Sequence, residues 1–356
     1  MAVTVGSSQI QAIGSYLGVG RETAWGTRVS GSDALCFLSN NLTTKKEGKL
    51  LEEIVRNRSR AYRERISISK IIDGDVGFYY RARSEACNYI LQQAFGGTVS
   101  SAEVSTAVAY LHTIQMGDMT NNAPTSTSSD LQGLSIAVRK GDSSTGKNFE
   151  YVGCRVNELN FAAEIDDALM CTASFVGKDS SVGTADHEST LTFADVTPLV
   201  FTGGRISVED SIGACTSTAY YHVQSVEFGI SNNLKSEADS RRIGSDLLDV
   251  LPAGVATINL SMSLRFDTIT SYNNMINATR LACEIEFTGD TLTGASSTES
   301  LKFQFPKIYV NAGADPEIGG PDEILKTDLE FHCIADSSAG YALQALLQNG
   351  TANYEI

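Results

Sequence analysis

The residues of this 356-residue chain that could do chemistry are few, and their spacing excludes most of it. His112, His187, His222 and His332 stand far apart, with no His-Glu-x-x-His or His–carboxylate spacing to build a zinc site or a general base. Cys36, Cys87, Cys154, Cys171, Cys215, Cys283 and Cys333 form no Cys-x-x-Cys pair, and their number is odd. That pattern predicts reduced, mostly buried thiols rather than a zinc knot or a disulfide framework. Asp73-Gly74-Asp75 lacks the later ligands and the closing Glu of a calcium loop, and Asp166-Asp167 reads as a loop acid pair. Gly18-Val19-Gly20 has no third glycine at dinucleotide-binding spacing, and Trp25-Gly26-Thr27 follows where a helix should run. There is no Gly-x-Ser-x-Gly. The expectation is no catalytic residue, no cofactor and no metal, with Gly18–Thr27 in a turn-rich N-terminal arm.

Charge is more informative. The chain carries a net −15, and an acidic surface repels phosphate and anionic lipid. A tight DNA binder is disfavoured; a wall along which DNA slides without sticking is not. Yet residues 45–70 hold nine basic side chains against four acidic ones, a +5 segment on a remainder of −20. Arg56, Arg58, Arg60, Arg63 and Arg65 dominate it. They form either a solvated hairpin face or a basic arm that docks on an acidic neighbour, as candidates for contact between subunits or stacked rings.

The elements that would position such an arm are strands. Period-two alternation marks 66–69, 76–83, 134–138, 156–161, 169–176, 223–230, 256–266, 282–287, 301–305, 307–310 and 327–334. Six prolines and 31 glycines, with abundant Ser, Thr and Asn, suit short strands on polar turns. Two helices interrupt them. One runs Ser84–Phe95, with Ser84 as N-cap and Gly96-Gly97 as stop; the other spans Thr268–Thr279 with Tyr272, Met275 and Ile276 on one face. Tyr341–Asn349 fits strand or helix, and Thr120–Asp130 reads as an exposed loop. No secretion signal is evident and no apolar run reaches 18 residues, so a protein made in a cytoplasm without a membrane span is expected.

Features also repeat in order. Ser-Asn-Asn-Leu occurs at 39–42 and 231–234, each before a charged segment, a strand and a helix bearing a tyrosine (Tyr89, Tyr272). A strand ending in Gly-Asp follows at 141–142 and 289–290, then a strand closing on Asp-Ser-Ser at 179–181 and 336–338. The order predicts a duplication, with halves 1–180 (basic arm 43–65) and 181–356 (arm 235–253) joined through 177–188.

On these residues the chain resembles a known family. Gly18-Val19-Gly20-Arg21-Glu22-Thr23-Ala24-Trp25-Gly26-Thr27 is similar to the opening of siphophage-type bacteriophage tail tube (major tail) proteins. The strand at Gly74-Asp75-Val76 followed by a short helix, and the block Phe228–Gly254 with its Pro252-Ala253-Gly254 turn, are similar too. The resemblance implies tandem β-sandwich or half-barrel tube domains, each with one flanking helix. It implies a virion-tail protein, assembled in the host cytoplasm into stacked rings around a bore for DNA, with itself and other tail proteins as partners. Two copies per chain predict rings of three chains; the competing arrangement is a hexamer in which one half decorates the outside. Another structural β protein, such as a capsid decoration or pilus-like protein, is the alternative class.

Overall fold

Residues two apart on a strand share a face, so the alternation above forces ladders with one buried side. The computed structural model describes residues 14–352 except 32, 51–63, 97–98, 106–107, 118–132, 142–146, 184–190, 194–195, 216–221, 238–239, 267–268, 295, 314, 317 and 319–323. The chain is all-β with minor helix, its described strands all joined antiparallel. In the first half these are β1 (Tyr16–Arg21), β2 (Asp33–Leu35), β3 (Phe37–Asn40), β4 (Thr43–Leu50), β5 (Arg65–Tyr79), β6 (Val99–Ser105), β7 (Ala109–Gln115), β8 (Leu134–Lys140), β9 (Lys147–Glu164), β10 (Met170–Gly177) and β11 (Asp179–Gly183), with α1 (Glu85–Phe95) between β5 and β6. In the second they are β12 (Gly204–Glu209), β13 (Val223–Ser231), β14 (Thr257–Arg265), β15 (Leu281–Thr291), β16 (Thr298–Ala312), β17 (Lys326–Cys333) and β18 (Gln344–Asn349), with α2 (Thr270–Ile276) between β14 and β15.

Several expectations need correction. Tyr16–Arg21 is a buried strand, not a turn-rich arm. Its glycines are there for close packing: a Cβ on Gly20 would meet the Gly31 Cα at 3.1 Å, and one on Gly18 would meet the Leu191 side chain at 2.6 Å. The stretches 301–305 and 307–310 are one strand, β16, despite Pro306. The β15 pairing jumps from Cys283↔Phe305 to Leu281↔Ile308, so the proline sits in a bulge where no ladder donor is needed. The segment 341–349 resolves as strand β18. Helix α2 is shorter than 268–279, and Ser84 occupies the α1 N-cap position without a side-chain cap bond; Gly96, at φ 63, does end α1.

The ladders of the first half recur in the second. The pairs β1–β8, β8–β9, β9–β10, β10–β5, β5–β3 and β9–β11 are matched by β12–β15, β15–β16, β16–β17, β17–β14, β14–β13 and β16–β18. The irregularities recur with them. An extra residue bulges at Leu38 in β3 and at Gln224 in β13, and at Asn157 in β9 and Asn311 in β16. The β8–β9 ladder skips between Leu134 and Ile136, and the β15–β16 ladder between Leu281 and Cys283. Two of these bulges match Cys154 with Ile308 and Val156 with Val310, the same displacement along the strand. The register equivalence is therefore overdetermined. The Ser-Asn-Asn-Leu tetrapeptides do not obey it: Ser39 corresponds to Ser225, six residues before Ser231. The hairpin β6–β7, between α1 and β8, has no counterpart between α2 and β15.

Among the described residues, two strand ladders join the halves. β13 lies on the distal part of β9, Ser225–Ser231 against Glu164–Glu158, and β18 lies on β7. Phe161 of β9 stacks on Phe228 of β13 at 5.0 Å, and both rings pack on Phe303 of β16 at 4.9 and 4.6 Å. One buried cluster runs through this contact from Leu17 to Leu347. Each buried phenylalanine contributes about 1.5–3 kcal/mol, and each such ring pair about 0.5–1.5 kcal/mol more.

Candidate functional site

The junction of β13 on β9 makes a single curved sheet, in order β5–β10–β9–β13–β14–β17. One face supplies the core: Val76, Phe78, Cys171, Ala173, Leu159, Phe161, Phe228, Leu260, Met262 and Leu329 are buried. The alternate positions face away from it. They carry Asp73 and Asp75 on β5, Thr172 and Ser174 on β10, Glu158, Asn160 and Glu164 on β9, Glu227 on β13, Asn259, Ser261 and Ser263 on β14, and Asp328 and Glu330 on β17. Seven of these side chains are carboxylates; Arg265 and Lys326, cross-strand partners, are the bases at the rim. At the middle the Asn160 side chain lies over Gly229, where a Cβ would sit 1.9 Å from Asn160 Oδ1. A shallow depression there is lined by Asn160, Ala162, Met170, Thr172, Glu227 and Ser261, which offer no nucleophile–base pair. The face is acidic, small-sided and smooth, which suits repulsion of a polyanion rather than its capture.

The basic arm is a hairpin rooted beside this sheet. Arg56, Arg58, Arg60 and Arg63 lie outside the described residues. Arg65 begins β5, is exposed, and donates from a guanidinium nitrogen to the Lys46 carbonyl at 3.2 Å. Lower on the hairpin, Lys45 pairs with Asp73 and Lys70 with Asp179. The second arm folds against this root: Lys70 N–H donates to the Asp246 carbonyl at 2.9 Å, and Lys46 reaches the Asp246 carboxylate at 4.0 Å. Basic and acidic arm segments thus already meet once within the chain.

The motif that carried the family resemblance is architectural. Glu22 is buried and accepts hydrogen bonds from Gly26 N–H at 2.6 Å, Ser135 Oγ at 2.8 Å and Gly153 N–H at 2.7 Å. Burial pushes its carboxyl above the usual carboxylate range, against the pull of those donors and of Lys178. Trp25 Nε1 donates to the Gly153 carbonyl at 3.0 Å, and the Lys178 ammonium sits 4.3 Å from the Trp25 ring centroid. These contacts tie β1 to the bulge of β9.

Of the histidines, His112 is buried between Ser101 Oγ at 2.8 Å and Asn349 Oδ1 at 3.1 Å, a bridge within the β6–β7–β18 sheet. His222 and His332 are exposed and far apart in the sheet, and His187 lies outside the described residues. No group of three or more metal-ligating side chains comes together among the described residues. Cys87, Cys154, Cys171, Cys215 and Cys283 are buried, Cys333 is half-buried and Cys36 is exposed. Burial raises the Cys154, Cys171 and Cys283 thiols well above their ordinary value. No described helix is long and apolar enough to cross a membrane.

The acidic face went unread in the sequence as a site. Its signal was present in the polar phase of the same alternation that marked the strands, but only the ladders reveal that those phases share one surface.

A six-strand sheet with one apolar, buried side and one open, acidic side defines a structural β-sheet protein. The chain belongs to the phage tail tube protein family, whose model matches residues 13–333. That places it in the virion tail as a structural tube subunit, not among capsid decoration proteins. A solved structure of the SPP1 tail tube, by solid-state NMR and cryo EM, is similar over 44% of this chain and 81% of that one, at 12% identity and a TM-score of 0.29. No curated protein matches the chain.

Proposed function

We propose that the chain is a non-enzymatic tube subunit whose two halves, 1–180 and 181–356, each act as one tube domain. Three chains then close a ring with six quasi-equivalent positions, and the rings stack around a bore that DNA crosses without sequence-specific binding. The observation that carries this reading is the recurrence of six ladders, with their bulges, in one chain. The acidic face of β5–β10–β9–β13–β14–β17 lines the bore in this reading, because it is the face left open once the opposite one has packed on α1 and the core. Field repulsion there keeps phosphate from pausing on the wall.

The test is charge reversal on that face. Glu158→Lys with Glu227→Lys changes exposed or half-buried side chains on neighbouring strands and leaves the core intact. Virions assembled with this subunit are expected to form tubes of normal length and to release DNA several-fold more slowly, with the delay shrinking as salt rises. Unchanged release kinetics at low salt would remove the face from the bore.

A further inference from the structure

The two arms leave their halves differently. Register equates Ser231, the last paired residue of β13, with Lys45 of β4. Past that point β13 ends, whereas β4 and β5 run on as a two-stranded ribbon to Leu50 and Arg65. On β5 the ladder to β10 stops at Ile72↔Gly177, so residues 65–71 stand beyond it, roughly 20 Å of ribbon at the rise of a strand. Leu50, Ile66 and Ile68 are exposed there, and a two-stranded ribbon by itself is marginally stable. A tilt of about 15° at the root would carry its far end about 5 Å sideways, one strand spacing. A ribbon that must meet a neighbour in register therefore has to be held at its root.

We infer that the second arm, 235–253, is not a second stacking arm but a brace that fixes the direction of the basic hairpin. This rests on the reading that the hairpin makes contact between rings. The arm is a loop closed at its neck, where Lys235 N–H donates to the Pro252 carbonyl at 2.9 Å and Gly254 N–H to the Asn232 carbonyl at 3.1 Å. It takes over β5 where β10 leaves it. Lys70 N–H donates to the Asp246 carbonyl at 2.9 Å; Arg241 Nη1 donates to that carbonyl at 2.9 Å and to the Lys70 carbonyl at 3.5 Å. β11 grips the same place: the Lys70 ammonium binds Asp179 and the Ser180 carbonyl, and Thr44 Oγ1 lies 2.7 Å from Ser180 Oγ. Leu248 and Leu251 of the arm are buried with Val176, against Ile71 and Trp25, in a cluster separate from the main core. Arg155, itself buried, donates from Nη1 to the Leu251 carbonyl at 3.0 Å, while its Nε and Nη2 have no partner.

The repeat supplies the control. By the shared bulges Ile71 corresponds to Thr257, Val176 to His332 and Arg155 to Tyr309. Thr257 and His332 are exposed and Tyr309 is half-buried. The apolar seat thus exists in the half that has a ribbon to hold, and the half without one carries a hydroxyl, an imidazole and a phenol at the same places. Charge does little of the holding. Lys46 and Asp246 lie 4.0 Å apart with side chains 57% and 45% exposed, a pair worth little in water. The brace is held by apolar burial and backbone hydrogen bonds, so salt that weakens contact between rings leaves it closed.

Two variants test the brace: Leu248→Ser with Leu251→Ser, and a chain in which Gly-Gly replaces 236–251 across the closed neck. Both keep every basic residue of the hairpin. In the free subunit each is expected to raise hydrogen exchange of the Lys70 amide at least tenfold, with 73–79 still protected by the β10 ladder and the circular dichroism spectrum of a β protein retained. Tube growth from each is expected to slow at least tenfold. In the unsubstituted subunit, Lys70 protection is expected to be the same at about 0.1 and about 1 M salt. Unchanged Lys70 exchange in both variants would overturn the inference, because the ribbon would then be held without the arm. So would raised exchange with tubes growing at the ordinary rate. The chain with Arg56, Arg58 and Arg60 reversed to Glu separates the two ideas. Normal tubes from it sink the stacking role of the hairpin, whereas slowed growth there with ordinary growth from the two arm variants sinks the brace alone.

Discussion

At the residue scale, the charge of Glu22 is set by burial against hydrogen bonding. Three donors converge on its two oxygens. A glutamine there must point its amide N–H groups at one of those donors, so Glu22→Gln is expected to cost about 1–3 kcal/mol. The pH dependence carries a sign. Because burial raises the folded-state value above the unfolded one, the carboxyl's contribution is fully present below the unfolded value and is lost as pH rises through the folded one. The deficit of the variant is therefore expected to be largest near pH 4 and to narrow on going upward from there. Denaturant melts of both proteins across that range check it; a gap that widens with pH would mean the donors outweigh desolvation. The Gly-x-Gly-Arg-Glu pattern was readable in the sequence as a resemblance, but its purpose was not. Only the contact of Gly20 with Gly31 and the turn of Gly26 onto Glu22 show why these residues sit together.

At the scale of elements, alternation found the strands that have one wet face and misjudged those that do not. Tyr16–Arg21 is buried nearly throughout, so it shows no alternation, and its glycines read as turns. β6 was missed because much of it is exposed. β16 was split in two at Pro306, since a proline that breaks a regular ladder is tolerated in a bulge. β5, β9 and β16 are each 15 residues or longer. β9 changes sheets at the bulge next to Gly153, which takes φ 65. The basic arm was legible as charge alone. Its root is held by Lys45–Asp73 and Lys70–Asp179, and the sequence between β4 and β5, with Arg56, Arg58 and Arg60, is the part we propose for contact with a neighbour. Reversing those three to Glu is predicted to stop ring stacking while the circular dichroism spectrum is unchanged. In the unsubstituted protein, raising salt from about 0.1 to about 1 M shortens the screening length from about 10 to about 3 Å and should weaken stacking in the same direction. Tubes of normal length from the reversed variant would show that the arginines are a solvated face.

At the scale of the whole molecule, the order of features in the sequence pointed to two copies, though the tetrapeptide that drew attention to them does not lie at equivalent positions. The ladders and bulges carry the repeat instead, because register is fixed by which face must be buried and not by residue identity. The halves diverge where they meet different neighbours. The first keeps the β6–β7 hairpin that covers β18, and the second keeps an arm folded onto the root of the first. The central claim is that this pseudo-repeat is used as ring geometry. Image reconstruction of assembled tubes, with no symmetry imposed beyond the helical rise, tests it most directly. The account predicts three chains per ring, with both halves of each lining the bore at six alternating positions and true threefold symmetry. Six complete chains per ring, with one half on the bore and the other outside, would contradict it.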